Sequence, residues 1–335
     1  MELFTMPDLN RRTLLAGAAA TTALAASAAI ALDDTVKAKP DMKGKSILIT
    51  GCSTGFGRLA AESYARAGAK VFATMRNLPR PEAAELEKLA KDENLDLQVI
   101  EIDVTDDDQV ANGVAKAEMA AGGALDVLIN NAGISYGGPI EIQDMEATQH
   151  IFDTNVFGPH RMARAALPAM RAAKSGLIIN VSSQLGRVIV PAYGHYSPTK
   201  FALEAMSESL AYELVPHGID VTIIEPGGYP TMIWKNSNEN ALALLGRAQE
   251  KHTNGYAALI ERLGNRTGGG TTDPMDVPNA MAEVIGTPPG TRPLRRAVHP
   301  GAKPQLPIND LTAKVQVGWL GESGYGPWIK AVHNV

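Results

Sequence analysis

The stretch "SILITGCSTGFG", residues 46–57, decides the fold. Its first part, Ser46 to Thr50, is a short β-rich run that passes straight into a turn whose glycines, Gly51, Gly55 and Gly57, carry the spacing TGxxxGxG. A helical stretch follows at once. Glycine allows the turn to be tight and leaves backbone N–H groups open at the positive end of the helix, where an anion such as a pyrophosphate is stabilised. A glycine triplet by itself also suits any tight strand-to-helix turn, so its meaning depends on its surroundings.

Outward from this turn the chain alternates. "VFATM" (71–75), "LQVIEI" (97–102), "DVLIN" (126–130), "LIINVS" (177–182) and "VTIIE" (221–225) read as further strands, separated by helical stretches such as "EAAELEKLAK" and "TKFALEAMSESLAYEL". A weaker seventh run lies near "LRRAVH" (294–299). Such alternation builds a parallel sheet covered on both faces. The expected fold is α/β, a single doubly wound Rossmann-type domain over residues 43–300 with a mostly parallel sheet of about seven strands. After Glu225 the texture turns to Gly, Pro, Asn and Thr, with helical patches near 239–262 and 274–285. We read residues 228–263 as a substrate-facing lid and 301–335 as a C-terminal tail.

A chain of 335 residues, 45% hydrophobic and 20% charged, can bury one large core. The formal charge of −5, with no basic block after the first dozen residues, argues against a nucleic-acid surface. The single cysteine, Cys52, excludes an internal disulfide. The opening residues read differently: Arg11 and Arg12 precede an alanine-rich apolar run that ends in Ala29-Ile30-Ala31, a small-x-small cleavage pattern. Residues 1–31 are therefore expected to be a twin-arginine signal read by export machinery, followed by a linker at 32–42 and a periplasmic location. An uncleaved membrane anchor and cytoplasmic retention are the alternatives, and the run is weakly hydrophobic for a span.

In "YSPTK", Tyr196 and Lys200 are four residues apart, one above the other on a helix face. A tyrosine with a reference pKa of about 10 is a poor base at neutrality, but a neighbouring ammonium favours the phenolate. The pair can then exchange a proton with a carbinol or carbonyl oxygen. An incidental surface pair is the competing reading of the pentapeptide alone.

In this order the motifs resemble the classical short-chain dehydrogenases/reductases, with a flavour of the hydroxysteroid and retinol dehydrogenases in "NVFG" and "RMARAALPAMR". The resemblance rests on "TGCSTGFG", on "NNAG" (130–133) ending the fourth strand, "NVSS" (180–183) ending the fifth, "YSPTK", and "PGGYPT" (226–231) after the sixth. It is strong from Lys43 to Thr231 and trails to about Ile285. It implies hydride transfer between a nicotinamide nucleotide and a secondary alcohol or its ketone or aldehyde, with Tyr196 relaying the proton. The implied tetrad is Asn155, Ser183, Tyr196 and Lys200. Ser183 stands thirteen residues before the tyrosine and would hydrogen-bond the substrate oxygen. Ser182 suits a strand-end backbone partner. Asn155, in "FDTNVFG", would hold water in a proton path, although its place beside Gly158 and Pro159 also suits a kink.

The same resemblance implies nucleotide contacts at Gly51, Ser53, Gly55, Phe56 and Gly57, at Arg76 and Asp103, and at Asn131, Ala132 and Gly133. It adds Tyr196, Lys200, Pro226, Gly227 and Thr231. Where NAD-preferring members carry an acidic residue stands Met75, followed by Arg76, so NADP(H) is expected over NAD(H). Thr54, where some NADP-dependent relatives are basic, weakens that preference. Asp103 would contact adenine or else cap the next helix. Met232, Ile233, Trp234 and Leu244 would line an apolar substrate pocket or belong to the core. His195 has no second ligand at useful spacing, so no metal is expected. Assembly into a homo-oligomer is expected from the family. A non-catalytic nucleotide-binding sensor or scaffold is the alternative class, and it would need neither Tyr196 nor Lys200.

Overall fold

The computed structural model describes residues 41–335, so the expected export signal and nearly all of the expected linker lie outside the described residues. Seven strands form one sheet: β1 Ser46–Ile49, β2 Lys70–Met75, β3 Leu97–Glu101, β4 Val127–Asn130, β5 Gly176–Val181, β6 Ile219–Pro226 and β7 Arg295–Val298. All pair in parallel, in the order β3-β2-β1-β4-β5-β6-β7. The weak run near 294–299 is indeed the seventh strand.

The strands read as continuous apolar runs because both faces are covered. Side chains alternate between the two layers, so Ile47, Ile49, Val71, Ala73 and Ile179 point one way and Leu48, Phe72, Leu128 and Ile178 the other. In chain order the first six helices are α1 Gly55–Arg66, α2 Pro81–Asp92, α3 Asp107–Ala121, α4 Met145–Phe152, α5 Gly158–Ala173 and α6 Tyr196–Leu214. The next six are α7 Met232–Arg247, α8 Glu250–Thr253, α9 Ala257–Ile260, α10 Asp276–Gly286, α11 Leu306–Leu320 and α12 Gly326–Val332. One layer buries α1, α2 and α10 through Tyr64, Leu86 and Met281. The other buries α3, α5 and α6 through Val114, Met162 and Leu214.

Residues 301–335, read as a C-terminal tail, carry α11 and α12 and pack onto the domain. Gln305 is fully buried, Ile329 is buried in α12, and the Tyr212 hydroxyl on α6 meets His333 Nε2 at 2.8 Å. At the other end, Met42 is buried and its N–H donates to Ala67 O at 3.1 Å, so the packed domain includes the residue before Lys43.

A buried polar thread joins sheet and helix: Asn130 Nδ2 donates to Asn180 Oδ1 and Asn180 Nδ2 donates to Ser207 Oγ, each at 2.8 Å. Removing the middle residue leaves the buried Asn130 Nδ2 without its partner and takes from Ser207 Oγ the bond it accepts, while its own donated bond to Leu203 O remains. Asn180→Ala is therefore expected to destabilise the protein by about 3 kcal/mol, read as a lower urea midpoint.

Candidate active site

At the carboxyl ends of the strands lies a cavity of about 560 Å³ that runs from the glycine turn to Tyr196 and Lys200. The turn needs its glycines. Gly51 has φ +72°, and a Cβ added there would lie 2.9 Å from Ala132 Cα. One added to Gly57 would lie 2.5 Å from both Gly51 O and Asn131 Nδ2. The two loops are laced together: Thr50 Oγ1 accepts the Asn131 and Ala132 N–H groups, each at 3.0 Å, and Asn131 Nδ2 donates to Thr50 O at 2.9 Å. Thr54 at the N-cap of α1 makes no side-chain capping bond, so the amides at the positive helix end remain available to an anion.

Ser53, Gly55, Phe56, Arg76, Asp103, Gly133, Pro226, Gly227 and Thr231 line this cavity together with Met75, whereas Gly57 lies behind it, packed on Gly51 and Asn131. Asp103 does not cap the following helix. Asp106 does, accepting from Gln109 N at 2.9 Å, while Asp103 accepts from Thr105 N and Oγ1 at the cavity edge. Arg76 Nη1 lies 3.8 Å from Asp103 Oδ2 and its side chain is 45% exposed. In the loop after β6 the buried Tyr229 ring meets Phe56 of the glycine turn edge-on at 5.6 Å.

The reacting end is built on α6 and the turn after β5. Ser183 Oγ accepts the Leu185 N–H at 3.1 Å and lines the cavity beside Tyr196, whose phenol it draws downward in pKa. Lys200 is 5% exposed and donates from Nζ to Val181 O at 2.9 Å, and its Nζ stands 5.7 Å from the Tyr196 ring centre. Burial dominates both groups. It pushes the tyrosine up to about 12, Ser183 opposing, and Lys200 down to about 8, Glu204 opposing. The ammonium thus does not lower the phenol here as the spacing alone suggested, because desolvation of the ring is the larger effect.

Asn155 sits in a π-helical turn, Asp153–Phe157, and is buried behind the cavity rather than lining it. Its carboxamide is committed to protein: Nδ2 donates to Ile134 O at 2.9 Å and Thr199 Oγ1 at 3.1 Å, and Oδ1 accepts Ile134 N–H at 2.8 Å. It fastens the loop after β4 to α6. Ser182 departs from expectation, because its backbone N–H donates to Ile224 O whereas its buried hydroxyl has no partner among the described residues.

Met232, Ile233 and Trp234 line the cavity, whereas Leu244 is fully buried with Tyr136, Ile142 and Ile151 away from it. His195 contacts Gln143 Oε1 through Nδ1 at 3.0 Å and packs on Phe152, a structural role. The sequence reading missed Arg80 and Tyr193, which also line the cavity. Arg80 is four residues beyond Arg76, and Tyr193 one helical turn before Tyr196. The Arg266 guanidinium lies 3.7 Å over the Tyr193 ring, a contact with no local sequence signal.

Comparison with known proteins agrees with this arrangement. The short chain dehydrogenase family model matches residues 45–242. The chain is 37% identical over 275 residues to the uncharacterized oxidoreductase YusZ of Bacillus subtilis, covering 81% of this chain and 94% of that protein. It is 38% identical over 201 residues to a 3-ketodihydrosphingosine reductase of Bacteroides thetaiotaomicron, covering 60% and 70% respectively. Retinol dehydrogenase 8 of Bos taurus is 39% identical over 189 residues, 55% of this chain and 58% of that protein. A short-chain dehydrogenase structure from Streptomyces avermitilis superposes with a TM-score of 0.64 at 30% identity, covering 84% of this chain and 97% of that one. A gluconate 5-dehydrogenase of Burkholderia cenocepacia J2315, solved with NADP and tartrate, superposes with a TM-score of 0.54 at 29% identity, covering 58% and 76%. The extent of the family match and the near end-to-end likeness to an oxidoreductase make this chain a member of the short-chain dehydrogenase/reductase family, and an enzyme.

Proposed function

We propose that the enzyme reduces an apolar ketone or aldehyde, or oxidises the corresponding secondary alcohol, with NADP(H) as its nucleotide. The observation that carries this reading is the convergence of Ser183, Tyr196 and Lys200 in the cavity that starts at the glycine turn. The residues fit a dinucleotide. The uncapped end of α1 suits a pyrophosphate, and the half-exposed Arg76 beside the neutral Met75 suits a 2′-phosphate, while Arg80 lines the same edge paired with Glu82. When bound, the nicotinamide supplies or accepts the hydride. Tyr196 holds the proton that a carbonyl oxygen must receive, and its raised pKa keeps it protonated at neutrality. Ser183, fixed by the Leu185 N–H, stabilises that oxygen as charge develops. Lys200 steadies the phenolate left behind, and Asn155 holds the surrounding loop in register. Met232, Ile233, Trp234 and Tyr193 favour a bulky apolar substrate, in keeping with relatives named for sphingoid and retinoid chemistry.

We also place the enzyme in the periplasm, on the support of Arg11, Arg12 and the Ala29-Ile30-Ala31 pattern. Exported already folded, it would carry a nucleotide loaded beforehand. Protein recovered from the cell envelope should then begin at Leu32 by intact mass.

With long-chain ketones and retinaldehyde as probes, Tyr196→Phe should lower NADPH consumption by about a thousandfold or more and leave NADPH binding within about twofold by fluorescence titration. Arg76→Ala should weaken NADPH binding about tenfold and leave NADH binding unchanged. Lys200 adds a stability signature. Its folded value of about 8 lies below the usual 10.5, so the fold bears the cost of a buried ammonium below pH 8 and sheds it as pH rises toward 10.5. Lys200→Met should stabilise the protein by up to about 3 kcal/mol at pH 7, the gain shrinking across that window in urea titrations.

A further inference from the structure

Tyr196 and Lys200 begin a longer row. Stepping by four along α6, the same face carries Glu204, Glu208 and Tyr212. Glu204 is 1% exposed, and its Oε2 accepts from Arg295 Nε of β7 at 2.8 Å. The other end of that guanidinium reaches Glu208 Oε2 at 2.5 Å. Glu225, at the end of β6 and fully buried, lies 3.8 Å from Arg295 Nε. It is held from outside the sheet by α11, where Asn309 Nδ2 donates to Glu225 Oε2 at 2.7 Å, and by Gln305 Nε2, which donates to Glu225 O at 3.3 Å.

Among the described residues, further charged and titratable groups facing the row are Arg187 from the turn after β5, which donates to Thr312 Oγ1 of α11, Tyr193 beside Tyr196, and His333, paired with Tyr212. Burial keeps His333 toward its neutral form. Three carboxylates thus stand against two guanidinium groups that cannot give up their charge, and Lys200, whose Nζ donates to Val181 O, lies one helical turn from Glu204 on the same buried face. Space is reserved for this. A Cβ added to Gly186 would lie 3.0 Å from Glu204 Cγ and 3.3 Å from Oε1, so glycine lets the carboxylate stand there.

We propose that Glu204 is a positioning residue: clamped by Arg295, it is the counter-charge that keeps Lys200 an ammonium in its dry site, and α11 supports it by holding Glu225. The inference rests on reading Lys200 as the charged partner of Tyr196. Burial, with Glu204 beside it, pushes Glu225 up to about 7, so the Asn309 bond matters to whether that carboxyl stays ionised at neutrality.

The test is the titration of Lys200 itself in the nucleotide-free full chain, read by trace acetylation with acetic anhydride across pH and mass spectrometry of the Lys200 peptide. Glu204→Gln is expected to lower the midpoint by about one pH unit, a tenfold rise in neutral amine at fixed pH below it. Asn309→Ala should move it the same way by less, and Asp310→Asn, on the exposed side of α11, should leave it in place. An unmoved midpoint in folded Glu204→Gln overturns the proposal. If that variant does not fold, an unmoved midpoint in Asn309→Ala does so. The readout needs neither substrate nor nucleotide. A shifted midpoint in a protein that reduces no carbonyl would sustain the counter-charge and sink the catalytic reading; an unshifted midpoint in an active enzyme would do the reverse.

Discussion

Between β1 and β4 the order of the sheet reverses, and the connections after these two neighbouring parallel strands depart to opposite faces. A crevice has to open there, at the carboxyl ends, and everything chemical in the molecule borders it. The glycine turn after β1 and the Asn131–Gly133 loop after β4 form its lips, laced together through Thr50 and Asn131. The loop after β4 is in turn pinned by Asn155, whose carboxamide also reaches Thr199 on α6. The nucleotide-facing and substrate-facing ends of the cavity are thus one braced unit, and the position of Tyr196 is set by pairings that begin at the first strand.

Placing these groups out of water has a cost that the rest of the fold carries. Lys200 and Tyr196 are both pushed toward their neutral forms, a state the isolated pair on an exposed helix would not reach. The core on both faces of the sheet, and the polar thread through Asn130, Asn180 and Ser207, supply the stability against which that cost is set.

The architecture was legible because strands buried on both faces are continuous apolar runs, and because glycines at close backbone approaches cannot hide in a sequence. The Tyr196–Lys200 pair was equally legible, as a spacing of four on one helix, whereas Ser183 was reached only through the resemblance to the family. Three kinds of feature were not. Caps depend on a dihedral choice: the sequence offered Asp103 as a cap, and the backbone path makes Asp106 the cap instead. Burial reverses a local inference, as when desolvation outweighs the ammonium at Tyr196. Long-range partners leave no mark: Glu204 and Arg295 are 91 positions apart and Glu225 and Asn309 are 84 apart. The C-terminal helices were missed for a related reason, since α11 has no fully buried residue to impose a periodic apolar face.

That last segment touches the order of manufacture. A ribosome completes β1 through β6 and the whole of α6 before Gln305, Asn309 or Thr312 has been joined to the chain. The nascent protein can therefore acquire its sheet and its nucleotide crevice while the carboxylates of α6 and β6 still lack their outer brace. The outer brace of those carboxylates is thus translated after every strand of the sheet.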